Sequence, residues 1–162
     1  MLNRRKLLAG TAIGAAGFTL PRTVFADGHA QAMKASALIY ITPIQTSGAE
    51  SGCQAEVWFA ALDGDMYVVT SLETWRAQAV REGLTSARVW IGDVGPWKGS
   101  NGGYKALPRV ETMAAYTTDT ATQERVLAVM GAKYSREWGM WGPRFRNGLA
   151  DGSRVMLRYR LL

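Results

Sequence analysis

The chain has 162 residues, of which 48% are hydrophobic and 20% are charged, which suits one folded domain with a substantial core. Its 19 basic and 13 acidic residues give a formal net charge of +6, but the two signs are interspersed, which argues against a nucleic-acid-binding protein. The single cysteine, Cys53, excludes an intrachain disulfide, and with the single histidine, His29, it argues against triad or His/Cys metal chemistry.

Residues 1–26 have the three parts of a signal peptide. Arg4, Arg5 and Lys6 form a positive head, residues 7–20 are apolar, and small residues suit cleavage after Ala26. The apolar stretch is shorter than the roughly 18 residues of a permanent membrane anchor. The adjacent arginines favour the twin-arginine route, which exports folded proteins, over an ordinary signal that happens to contain two arginines.

Removal of this segment changes the charge balance of the chain. The segment holds four of the 19 basic residues and no acid, so 15 basic residues and 13 acidic residues remain, a net charge of +2. The low remaining charge does not suggest a nucleic-acid partner. From the signal peptide we expect an exported, periplasmic protein with a flexible terminus over residues 27–35 and one domain over residues 36–162.

From residue 36 the dominant hydrophobic period is two, which predicts about six strands. They are ALIYITPI (37–44), CQAEVWFAAL (53–62), DMYVVTS (65–71), ARVWIG (87–92), PRVETMAAYTT (108–118) and SRVMLRYRLL (153–162). Asp63-Gly64 between the second and third predicts a two-residue type I′ hairpin turn. Counting outward from Leu62–Asp65 gives the pairs Ala61–Met66, Ala60–Tyr67, Phe59–Val68, Trp58–Val69 and Val57–Thr70.

Two helices interrupt the predicted strands. The first helix has an apolar stripe formed by Leu72, Trp75, Ala79 and Val80, and Arg76 falls on its solvent face. Its start is marked by the capping-box spacing of Thr70 and Glu73, and its end by Gly83. The second runs from about Thr120 to Met130 and ends at Gly131. Because six antiparallel strands with bare edges would aggregate, we expect the sheet to close into a barrel.

The run GDMYVVTSLETWRAQAVREGLTSARVWIGD, residues 64–93, resembles the split β-barrel family of pyridoxamine 5′-phosphate oxidase and its flavin and deazaflavin relatives. The resemblance implies a mainly β, α+β fold built on a six-stranded antiparallel split barrel. It also implies a homodimer that binds FMN, or a related flavin or deazaflavin, between its subunits.

In that family a phosphate is held at the end of the third strand and by a basic residue on the next helix. Thr70, Ser71 and Arg76 match those positions, and a helix N-terminus with two hydroxyls and a guanidinium suits a phosphate. The alternative is a simple helix cap with a solvated arginine. Where family oxidases carry Arg and Lys on the second strand, this chain has Gln54 and Glu56.

Two aromatic segments add candidates for contact with a planar ring. Trp97, Lys98 and Tyr104 lie in the glycine-rich segment PWKGSNGGYK, either a mobile hairpin loop or a lid. REWGMWGPRFRNG, residues 136–148, sets tryptophans beside arginines, which suits ligand stacking, a subunit interface or a loop that caps the barrel. The predicted cofactor-binding residues are Gln54, Thr70, Ser71, Trp75, Arg76, Trp97 and Lys98.

Three functions are compatible with these patterns. The leading one is an exported flavin-type oxidoreductase, with its substrate and catalytic residues unassigned. The alternative is a non-enzymatic binding protein for haem, flavin or another planar ligand, and the third is a structural domain without cofactor.

Overall fold

The computed structural model describes residues 22–162, so residues 1–21 of the predicted signal peptide lie outside the described residues. Helix α1 (Arg22–Ala35) includes the segment 27–35 that the sequence analysis assigns to a flexible terminus. Met33, in its last turn, is 5% exposed and packs into the core, which ties this end of the helix down. Over the described range no helix is both long enough and apolar enough to cross a membrane.

The rest of the described chain contains seven strands and three further helices. The strands are β1 (Ile39–Pro43), β2 (Ala55–Val57), β3 (Ala60–Leu62), β4 (Asp65–Ser71), β5 (Ser86–Ile91), β6 (Arg109–Tyr116) and β7 (Arg154–Leu161). The helices are α2 (Trp75–Arg81), α3 (Thr120–Lys133) and α4 (Ser135–Asp151), and a 3-10 turn covers Gly103–Ala106.

The strands form one antiparallel sheet in the order β2-β1-β5-β6-β7-β4-β3. Its two edge strands, β2 and β3, are consecutive in the chain and are separated only by Trp58 and Phe59. The three Cα–Cα steps from Val57 to Ala60 span at most about 11 Å, so the sheet must curl until its edges nearly meet. This curled sheet confirms the predicted split β-barrel fold.

The predicted hairpin is confirmed over three residue pairs. Asp63 and Gly64 have φ values of 54° and 86°, as a type I′ turn requires, and Ala60, Ala61 and Leu62 pair with Tyr67, Met66 and Asp65. The predicted continuation to Val57–Thr70 is wrong. The β3–β4 ladder stops at Ala60–Tyr67 and β2 pairs with β1, so the segment predicted as one strand forms two, and the sheet has seven strands instead of six.

Tyr134 satisfies the backbone where the chain passes from β2 to β3. The Phe59 N–H donates to the Tyr134 hydroxyl oxygen (2.9 Å), and the hydroxyl lies 3.0 Å from the Phe59 carbonyl oxygen and 2.8 Å from that of Ala37. The phenol ring stacks on Trp58, with centroids 4.3 Å apart. Burial raises the pKa of Tyr134 to about 12, so the hydroxyl keeps its proton and can donate. A side chain thus replaces the ladder bonds that β2 and β3 lack here.

Apolar residues fill both sides of the sheet. The barrel interior holds Ile39, Ile41, Met66, Val68, Val89, Val110, Leu157 and Tyr159, and α3 and α4 cover the outer face of β3, β4 and β7.

Residues 135–151 form helix α4 rather than a capping loop, and this helix packs against α3. Two glycines permit this packing, since a Cβ at Gly131 or Gly142 would lie 2.7 or 2.9 Å from the Trp138 indole. The predicted helix end at Gly131 is therefore wrong: α3 continues to Lys133, and Gly131 serves close packing.

Helix α2 is shorter than its sequence pattern predicts. It begins at Trp75 with Thr74 as the N-cap, so the predicted capping box of Thr70 and Glu73 is wrong. It ends at Arg81, and Gly83 follows with a φ of +84°, as predicted for the stop. Because the first turn starts so close to the end of β4, its side chains reach back to that strand.

Replacement of Tyr134 by Phe should lower the free energy of unfolding by about 1 to 3 kcal/mol, because the buried Phe59 N–H loses its acceptor while the stacking on Trp58 remains. Chemical denaturation followed by tryptophan fluorescence measures the change. Tyr104→Phe is the matched control, since Tyr104 is 2% exposed and its hydroxyl makes no hydrogen bond within residues 22–162. Equal losses in the two variants would contradict this role of Tyr134.

Candidate functional site

A cleft of about 460 Å³ lies at the split in the barrel, between the end of β2, the end of β4 and helix α4. Its lining residues are Val57, Trp58, Val69, Thr70, Ser71, Thr74, Arg76, Trp141, Phe145 and Arg154. Trp141 lies 6.1 Å from Trp58 and 5.8 Å from Phe145 between ring centroids, so the three rings form one aromatic wall. Hydroxyls and two guanidinium groups make up the polar part of the lining. Such a lining suits a planar aromatic ligand that carries an anionic arm.

Arg76 belongs to the polar part of this cleft and is half-buried instead of lying on a solvent face. Its Nη1 donates to Thr70 Oγ1 at 2.8 Å. Its Nε is buried and has no hydrogen-bond partner within the described residues. An unsatisfied buried guanidinium N–H is costly, and a ligand anion is the acceptor that would satisfy it.

The hydroxyl network beside Arg76 decides which donors a ligand could use. The Thr74 hydroxyl donates to the Ser71 carbonyl at 2.8 Å, so the 3.1 Å contact between Thr70 and Thr74 uses the proton of Thr70. The Ser71 Oγ accepts from the Glu73 N–H, and its own proton has no acceptor within residues 22–162. Arg76 and Ser71 are therefore the available donors, and Thr70 orients Arg76.

Arg154 supplies the second cation of the cleft, and no sequence pattern pointed to it. It begins β7, and its guanidinium carbon lies 5.5 Å from the centre of the Phe145 ring. Its side chain crosses α4 at Gly148, where a Cβ would lie 2.6 Å from Arg154 Cδ. Arg154 also lines a neighbouring cavity of about 510 Å³ between the β6–α3 loop, α4 and β7.

Three of the seven predicted cofactor-binding residues, Thr70, Ser71 and Arg76, come together in this cleft. The others lie outside its lining. Trp75 begins α2, the Gln54 amide donates to the Ser51 carbonyl (3.4 Å), and Trp97 packs on the Tyr40, Trp90 and Tyr104 cluster with Lys98 Nζ 5.7 Å from its ring. No sequence pattern marks Trp58 and Arg154 as site residues, and Trp141 and Phe145 are predicted only as part of the aromatic segment 136–148.

The Trp97 segment is tied to the barrel through Glu56. The Trp97 N–H donates to Glu56 Oε2 at 3.1 Å, which places this loop beside β2 rather than over the cleft. Glu56 thus serves as a loop anchor at a position where the resemblance would put a basic residue.

The donor set of the cleft fits a phosphate better than it fits a metal. Its ten lining residues include no histidine, cysteine, methionine or carboxylate. Across residues 22–162 no group of three or more His, Cys, Asp or Glu side chains could hold a metal ion. Cys53 is half-buried and free. A flavin mononucleotide could place its phosphate at Arg76, Arg154 and Ser71, whereas a haem would find no axial ligand in this lining.

No protein-family model matches the sequence, and no curated protein matches it significantly. Solved structures do match the fold. HutZ from Vibrio cholerae, described as a haem storage protein, aligns with a TM-score of 0.56 at 13% identity over 84% of this chain and 89% of its own. A candidate pyridoxamine 5′-phosphate oxidase from Listeria innocua aligns with a TM-score of 0.54 at 16% identity, over 84% of this chain and 92% of its own.

A haem-binding protein from Mycobacterium smegmatis aligns with a TM-score of 0.58 at 11% identity, over 88% of this chain and 53% of its own. At these identities the likeness establishes the split-barrel fold that the sequence predicted.

Replacement of Gly148 by Ala should displace Arg154 and lower the free energy of unfolding by about 1 to 3 kcal/mol, because the new methyl group overlaps the Arg154 stem. Gly139→Ala in the same helix is the matched control, since a Cβ there meets nothing within 4 Å. It should stabilise the protein by about 0.5 to 1 kcal/mol through helix propensity. Urea unfolding measures both, and stabilisation by both substitutions would show that Arg154 does not need this gap.

Proposed function

We propose that this chain is a binding protein for a planar aromatic ligand with an anionic arm, held in the cleft between Trp58, Trp141 and Arg76. The observation that carries the proposal is the buried Nε of Arg76, which has no acceptor in the described chain and belongs to a residue that lines an aromatic-walled cleft. The fold likeness to proteins described as binding or storing haem supports a planar ligand.

FMN is the first candidate ligand. Its phosphate would accept hydrogen bonds from Arg76 and Ser71, with Arg154 as the second positive charge, and its ring system would stack on the tryptophan wall. Haem is the second candidate, because its propionates could use the same arginines, but its iron would lack a protein ligand among the lining residues.

An oxidoreductase is the second candidate function. The cavity of about 510 Å³ on the other side of Arg154 would leave room for a substrate next to a bound cofactor. Binding without turnover is preferred because the cleft lining contains no carboxylate, histidine, lysine or cysteine to act as a general acid or base.

Arg76→Ala should weaken FMN binding roughly 30- to 150-fold, since it removes a charge-assisted contact of about 2 to 3 kcal/mol. Titration of the protein with FMN, followed by quenching of flavin fluorescence, measures the dissociation constant. Arg81→Ala is the matched control, because Arg81 is exposed on the same helix and should leave the affinity unchanged.

Equal affinities for the wild type and both variants would place the ligand elsewhere. A parallel haem titration, followed by its absorbance, decides between the two candidate ligands. Reduction of bound flavin by a nicotinamide donor with a substrate-dependent turnover would favour the oxidoreductase over the binding protein.

We also propose that the protein is exported through the twin-arginine pathway, because a cofactor made in the cytoplasm must be enclosed before crossing the membrane. The double substitution Arg4→Lys and Arg5→Lys should leave the precursor in the cytoplasm of a host with that pathway, as measured by cell fractionation. Unchanged export of the double-lysine form would contradict the route. The homodimer implied by the family resemblance stays a prediction.

A further inference from the structure

A separate cavity of about 380 Å³ lies on the other side of Trp58 from the ligand cleft. It is lined by Ala37, Leu38, Trp58, Asp93, Lys133, Tyr134, Ser135, Arg136 and Glu137. Trp58 is the residue that the two spaces share.

Lys133 is the group of interest in this cavity. Its Nζ lies 3.4 Å from the centre of the Phe59 ring and donates to the Phe59 carbonyl at 3.3 Å. Within residues 22–162 no carboxylate oxygen lies within 4 Å of this Nζ, whereas Lys105 Nζ lies 2.8 Å from Glu50 Oε2. The Lys133 ammonium is therefore half-buried against a wholly buried ring without a counter-ion.

Burial makes Lys133 lose its proton more easily than an ordinary lysine does. Burial lowers the pKa of Lys133 to about 8, whereas the ion pair with Glu50 raises the pKa of Lys105. The other ionisable groups of the cavity are the Tyr134 hydroxyl, whose pKa burial raises, and the exposed Asp93, Arg136 and Glu137. At pH 7 about one Lys133 side chain in ten is unprotonated, compared with fewer than about one in a thousand for an ordinary lysine.

We propose that Lys133 is a carbonyl-reactive amine and that its cavity accepts a small neutral aromatic aldehyde. The amine without a carboxylate partner among residues 22–162, its desolvated position beside Phe59 and a cavity lined by Trp58 and Tyr134 carry this assignment. Asp93 and Glu137 offset Arg136 and Lys133 in the same cavity, so a neutral carbonyl compound suits it better than an anion.

The step balances without a redox partner. The lone pair of Nζ forms a bond to the carbonyl carbon, and the carbonyl oxygen leaves as water with the two amine protons. The product is an imine between the lysine and the aldehyde carbon.

Trapping of this imine tests the proposal on the full chain. The protein is incubated with benzaldehyde and sodium cyanoborohydride at pH 7, and peptide mass spectrometry then measures benzylation at each lysine. We expect Lys133 to react at least about tenfold faster than Lys105, which is half-exposed, with a rate that rises through pH 8 as the amine loses its proton.

Lys133→Arg keeps the positive charge and removes the amine, so it should abolish the fast labelling while Lys98 and Lys105 react as before. Circular dichroism checks that this variant is folded. If it does not fold, the labelling rates of the individual lysines in the wild type still test the proposal. Labelling of Lys133 at or below the rate of Lys105, or a rate without inflection near pH 8, would overturn the proposal.

Discussion

The passage from β2 to β3 through Trp58 and Phe59 is the constraint on which the rest of this structure depends. Two residues must connect opposite edges of a seven-stranded sheet, and their backbone groups cannot pair with either neighbouring strand. The Tyr134 hydroxyl, at the junction between α3 and α4, satisfies the N–H and C=O of Phe59, which holds this junction against the barrel. One phenol thereby couples the curl of the sheet to the position of the helical layer.

Both cavities of interest are consequences of that passage. Trp58 cannot enter the barrel at the split, so its ring lies outside, stacked on Tyr134, where it separates the two spaces. On one side Arg76 has a buried N–H without an acceptor, and on the other Lys133 has no carboxylate partner in the described chain. Within residues 22–162 two half-buried basic side chains thus lie beside cavities without a counter-ion, which is costly unless solvent or a ligand supplies a partner.

The glycines of the helical layer show how packing determines the cleft. Gly148 lets Arg154 cross α4, and Gly142 with Gly131 accepts the Trp138 indole. The Gly148–Arg154 approach sets the spacing of α4 and β7, and the Gly131–Trp138 approach sets that of α3 and α4, so the two together place Trp141 and Phe145 in the cleft. Residues that resemble loop formers in the sequence are therefore the ones that bring the aromatic wall and the second arginine into the site.

The sequence by itself determined the features that depend on local periodicity and turn chemistry: most strand segments, the Asp63-Gly64 hairpin with its first three pairs, and both predicted helices. Thr70, Ser71 and Arg76, which the resemblance selects, line one cleft, and their role in binding stays a prediction. The tertiary structure alone decided where the segment 53–62 divides, that residues 135–151 are helical, and that Arg154 joins the cleft. The physical reason is the separation in sequence between the residues that interact. A turn or an amphipathic stripe is encoded within a few residues, whereas the Phe59–Tyr134 bond and the Trp58–Trp141 contact join segments more than 70 residues apart, which only the folded barrel brings together.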